Sequence, residues 1–138
     1  MATATDAELI LKLYELRTEA TMRVARKFVA GFNPASFDEL RGLHGDQEAY
    51  WRQVVSYWEM ASALVLHGAL DADLFLDTNG EPFFYYAKFT PFFEEYLKST
   101  GQPFMPKFGK LLEKYPAMQQ RYTAMLARID AAKKQAAG

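Results

Sequence analysis

Apolar residues in this chain return at every third or fourth position over long stretches, and nowhere do they alternate for long enough to make a strand. That spacing is the period of an α-helix, so the chain is predicted to be all-α. Leu9, Leu13, Leu16, Ala20, Val24 and Phe28 form the first stripe, with Asp6 placed to cap its start and Gly31, Asn33 and Pro34 to end it. Glu19 and Arg23 stand four apart on its polar side. Ser36 and Glu39 have the spacing of a capping box for a short helix. Asp46 is set to cap a second long helix that stops at Gly68. Its stripe of Trp51, Val54, Val55, Trp58, Ser62 and Val65 is widened by Tyr57, Met60, Ala61 and Leu64, the pattern of a central helix.

Asp71 can cap a short helix, and Glu81-Pro82 opens a third long one. Pro91 lies inside this helix and must kink it near Phe89 and Thr90, because proline lacks the N–H that the helix needs. A Pro/Gly-punctuated loop follows, then a short helix from Lys107 to Tyr115. Pro116 begins the last helix, whose seam is Met118, Tyr122, Met125 and Ile129. The expectation is one domain over residues 1–138: an antiparallel bundle of four main helices with short connecting helices, the third main helix kinked at Pro91.

A chain of 138 residues can bury enough surface to fold without a metal or a disulfide. There is no cysteine, which removes disulfides, thiolate zinc sites, iron–sulfur clusters and cysteine nucleophiles. The two histidines have no glutamate three residues before them, so a di-iron bundle site is not expected, and no metal or cofactor is predicted. No phosphate-binding glycine loop or hydrolase motif occurs. The formal net charge of −1 offers no general attraction for nucleic acid. The N-terminus "MATATDAELILKLYEL" lacks the basic and apolar regions of a signal peptide, and no run is long enough to span a membrane. The expected compartment is the cytoplasm.

Two places could carry chemistry. Eight aromatic residues lie in the fourteen positions from Phe83 to Tyr96, on both sides of the helix. They read first as core, filling the gap where Pro91 bends the axis. The alternative is a pocket between the second and third main helices, where Trp58, Glu59, Tyr85, Tyr86 and Phe89 would line the wall and hydroxyls would orient a small apolar ligand. Glu59 follows Trp58 on an apolar stripe. Burial there would raise its pKa unless a cation such as Arg17, Arg23, Arg26, Arg52 or Lys88 sits close, and the plainer reading is a structural bond to a neighbouring helix. His67 is placed to favour the negative end of its helix. Lys98, Lys107, Lys110 and Lys114 surround Phe104, Met105 and Phe108, which are expected to plug the bundle end while the lysines stay in water.

The order "YWEMASALVLHGALDADLF", a turn, then "TPFFEEYLKSTGQPFMPKFGKLLEKY" resembles a bacterial family of domains of unknown function. The resemblance rests on Glu59, Gly68 to Leu70, Asp71 to Asp73, and the aromatic helix with its central Pro91. It spans Tyr57 to Tyr115, and implies an all-α fold and no assigned activity. Family members often carry an N-terminal membrane helix, absent here, and an arginine or tryptophan in the proline-containing helix, where this chain has tyrosines and lysine.

The expected function is therefore that of a non-catalytic helical domain that binds a protein partner or a second copy of itself. The alternative is the small-molecule domain described above. Catalysis would have Glu59 as its one acid or base.

Overall fold

The fold was obtained as a computed structural model that describes residues 1–137, and within them every regular element is helical. The order is α1 (Ala4–Arg17), α2 (Ala20–Gly31), α3 (Phe37–Arg41), α4 (Gly45–Leu66), α5 (Ala72–Thr78), α6 (Glu81–Phe89), a 3-10 turn (Thr90–Phe92), α7 (Phe93–Thr100), α8 (Pro106–Lys114) and α9 (Pro116–Ala137). The chain is an all-α bundle. Arg26 meets Glu81, and Lys88 meets Val29, so α2 and α6 run the same way. Phe28 meets Tyr50 while Tyr57 reaches back to Leu13, so α4 runs against them. Thr90 meets Tyr122 while Phe84 faces Ile129, so α9 runs against α6.

The first main helix is two helices, not one. Glu19 has an extended backbone, with φ −59° and ψ 146°, through which no helix can pass. Its carboxylate turns to accept the N–H groups of Thr21 and Met22 at 3.0 and 3.1 Å, capping α2 rather than pairing with Arg23 along a face. The break re-aims the second half of the stripe. Leu16 and Val24, assigned to the core by their spacing, are half exposed, and Met22, Ala25 and Val29 are buried instead. The start also differs: Thr3 is the N-cap, and Asp6 completes a capping box with it. Asp6 additionally accepts the N–H of Asp71 at 2.8 Å, which ties α1 to the entry of α5.

His44 rather than Asp46 precedes α4, while Ser36 and Asp71 cap α3 and α5 as their spacing predicts. Pro91 breaks the third main helix where expected. Phe89 leaves the helical region with ψ 3°, the 3-10 turn follows, and α7 resumes at Phe93. Thr90 Oγ1 takes up the carbonyl of Tyr86 at 2.8 Å.

The core is a continuous cluster around α4, where Val54, Trp58 and Ala61 are fully buried. Phe75, Phe83, Phe89, Phe104 and Phe108 close around them. Phe104 alone packs against the rings of Trp51, Tyr86, Phe89, Phe93 and Tyr96. It plugs the bundle end as expected, with Lys107, Lys110 and Lys114 exposed around it. No helix among the described residues is long and apolar enough to cross a membrane.

Candidate functional site

Glu81 opens α6 and stands beneath three helices. Arg26 of α2 meets its carboxylate with Nε at 3.0 Å from both oxygens and Nη2 at 2.6 Å from Oε2. Tyr85, one turn on, donates its hydroxyl at 2.7 Å. Arg26 Nη1 also donates to the Arg17 carbonyl at 3.1 Å, across the break between α1 and α2. Burial pushes the Glu81 carboxyl upward, but the hydrogen bonds from Arg26 and Tyr85 and the arginine charge outweigh it, leaving Glu81 below the usual carboxylate range. The same burial, with the Glu81 charge beside it, raises the Tyr85 phenol far above its ordinary value. Charge-assisted, multidentate contacts of this kind fix geometry as well as charge. The arrangement favours the ionised form of Glu81 and the protonated form of Tyr85, which suits a structural clamp.

The five sequence candidates lie in different surroundings. Trp58 is fully buried, packed edge-on against Tyr57 with centroids 4.8 Å apart. Its indole N–H lies near Glu81 and favours the charged carboxylate without making a hydrogen bond to it. Phe89 is buried against Trp51. Tyr85 is buried in the Glu81 clamp. Tyr86 lies between Phe93, Phe108 and Tyr122, and burial lifts its phenol to about 12.

Glu59 is held differently from all of these. Its two oxygens accept the backbone N–H groups of Lys107 and Phe108 at 3.0 and 2.9 Å. These are free donors of the first turn of α8, whose own N-cap, Met105, offers no side-chain acceptor. A carboxylate there is also favoured by the helix dipole. Glu59 thus caps a helix forty-eight residues away in sequence, and none of the five cations named for it is its bonding partner.

Two residues that spacing did not single out complete the picture. The sequence marks Glu81 as a helix start, and its four-residue offset from Tyr85 is the local signal of their contact. Lys88, named as a possible partner of Glu59, instead donates to the carbonyls of Val29 and Ala30 at 2.7 and 3.0 Å, closing the C-terminus of α2.

Surface grooves surround this filled interior. One of about 510 Å³ lies between α1, α2 and α4, with Met22 and Tyr57 as its floor, Leu16 and Met60 on its walls, and Glu19, Gln53 and Ser56 at its rim. A second, of about 660 Å³, runs along α4 past Trp51, Val55 and Glu59 to Tyr96 and Lys107. A third, of about 440 Å³, separates Phe84 from Met125, Ile129 and Ala132 of α9. No group of three potential metal-ligating side chains occurs among the described residues.

The family described as Domain of unknown function (DUF4760) matches residues 2–115. The chain belongs to this family. No curated protein and no solved structure matches it. The DUF4760 match reaches beyond the Tyr57–Tyr115 stretch whose order carried the resemblance, and takes in α1, α2 and both ends of the Glu81 clamp. It stops at Tyr115, so α9 lies outside the matched region.

Proposed function

We propose that this DUF4760 chain is a non-catalytic interaction domain whose α1–α2–α4 groove binds a protein partner, with a second copy of the chain as that partner. The observation that supports this reading is the pairing of a filled interior with an open apolar surface. Leu16 and Met60 remain 42% and 44% exposed over a Met22–Tyr57 floor, and three polar side chains rim them. Apolar centres with polar rims are the anatomy of protein contacts, and methionine adapts to varied partners. The ionisable groups of the interior are engaged in capping and clamping, which supports a role in binding rather than turnover. Light scattering over a wide concentration range tests the proposal. The expected result is a reversible dimer that Met60→Glu disperses while helical content stays unchanged; a wild-type chain that remains monomeric throughout defeats self-association.

A second reading rests on the groove beside Glu59. Trp51, Val55 and Tyr96 give it apolar walls, and Lys107 and Glu59 give it polar ends, so a small amphiphilic molecule fits its chemistry. Ligand binding there raises the melting temperature. A thermal-shift screen with apolar and zwitterionic compounds that moves neither the wild type nor Tyr96→Ala removes it.

A further inference from the structure

Helix α9 sits in a groove made entirely by residues that precede it. It packs on α6 and α8, and the family match ends at the single residue, Tyr115, that joins it to α8. The seat is specific. Met118 is 1% exposed. Arg121 donates to the Leu76 carbonyl, and its guanidinium lies 5.0 Å above the Phe83 ring. That guanidinium occupies the space over Gly80, where a Cβ would come within 2.8 Å of it. Tyr122 shares a hydrogen bond of 2.9 Å with Thr90 and stacks edge-on against Tyr86. Met118 and Tyr122, four apart on one face and seated against neighbouring helices, follow the spacing of an amphipathic helix bound as a ligand.

The joint has no slack. Tyr115 is extended, with φ −117° and ψ 107°, and is the one residue between two helices. Pro116 has no N–H, and its ring would strike the Leu112 carbonyl in a continuous helix, so α8 and α9 cannot merge to relieve the turn. Short hinges of this kind favour exchange of an element between copies, because the exchanged form keeps every contact and frees only the joint.

We propose that α9 is an exchangeable helix: at high concentration two chains open at Tyr115, and each seats its α9 in the α6–α8 groove of the other. This surface is separate from the α1–α2–α4 groove, so Met60→Glu and a change at the Tyr115 joint report on different interfaces. The native chain lacks cysteine, which makes the test direct. Phe84→Cys and Ala132→Cys chains, whose substituted positions line one groove, are mixed, co-refolded at high concentration and treated with a short bis-maleimide. The expected product is a mixed covalent dimer, several-fold more abundant than the homodimers that either variant forms alone. In parallel, the full chain with a run of glycines inserted after Tyr115 is compared with wild type by light scattering. This readout stands even if Phe84→Cys folds poorly. Exchange predicts that the insertion lowers the dimer fraction several-fold and that Met60→Glu does not. Absence of the mixed product, a wild type that never dimerises, or a dimer dispersed by Met60→Glu and indifferent to the insertion, each overturns it.

Discussion

Lys88 is charged chemistry in an apolar place. It is 8% exposed, its ammonium lies 5.2 and 5.1 Å from the Phe84 and Phe89 ring centres, and no carboxylate pairs with it among the described residues. Burial lowers its pKa from 10.5 to about 8. Between pH 8 and 10 the folded chain has released this proton while the unfolded chain still holds it, so stability rises with pH across that window. The rise is on the order of 3 kcal/mol if carried to the unfolded pKa. Above pH 10 the buried tyrosines act in the opposite sense, because Tyr57 and Tyr86 are pushed up to about 12 and the unfolded chain ionises first. Urea melts from pH 7 to 10 should therefore show a rising midpoint in the wild type and a flat one in Lys88→Met. Glu59 carries the other residue-scale prediction. Glu59→Ala leaves the first-turn donors of α8 without a partner and should cost about 1–2 kcal/mol in chemical denaturation, with Glu59→Gln costing less because one acceptor remains. Equal stability of Glu59→Ala and wild type would show that solvent replaces the cap fully. The type of role for Glu59, a structural bond to a neighbouring helix, was legible in the chain; its partner was not, because a side chain on α4 can reach backbone donors on α8 only after folding.

Among the helices, the two breaks contrast. Pro91 announces its own break, since a missing N–H is a covalent property visible in any context. The break at Thr18–Glu19 has no glycine or proline, and the apolar stripe continues through it. There the Glu19 cap and the Arg26 bond to the Arg17 carbonyl hold the interruption, and both depend on the chain having already turned. Helix α8 shows the same dependence. Gly109 looks like a weak point in a helix, where alanine would be better by about 1 kcal/mol. In the fold, a Cβ on Gly109 would lie 2.9 Å from the Tyr86 hydroxyl, and crowding of this kind costs about 1–3 kcal/mol. Gly109→Ala should therefore destabilise, and adding Tyr86→Phe should restore much of the loss, as read from denaturation midpoints. A Gly109→Ala chain that is more stable than wild type would mean the ring moves aside freely.

Across the whole molecule, stability should be uneven. Helix α4 carries buried residues in every turn from Trp51 to Val65, whereas α7 buries no residue fully and leaves Leu97 47% exposed. Native-state hydrogen exchange should find the amides of 93–100 opening well before those of 54–65, since local opening is least costly where little apolar surface is lost. Uniform protection across both segments would contradict that ordering. The aromatic rings join at this scale: Phe89 and Phe104 meet each other and Trp51, Phe83 meets Phe108, and Tyr86 touches both Phe104 and Phe108 within one continuous interior.

Helical period, proline position and the capping residues of α3 and α5 are properties of neighbouring residues, and the chain alone determined them, together with the all-α class and the centrality of α4. The tertiary structure decided which carbonyls Lys88 closes, which helix Glu59 caps, that Arg26 clamps Glu81, and which residues of the first stripe face water. Each of those joins groups far apart along the chain. Their geometry is set by the packing of whole helices, and a one-dimensional spacing pattern carries the face of a helix but not the partner that the face will meet.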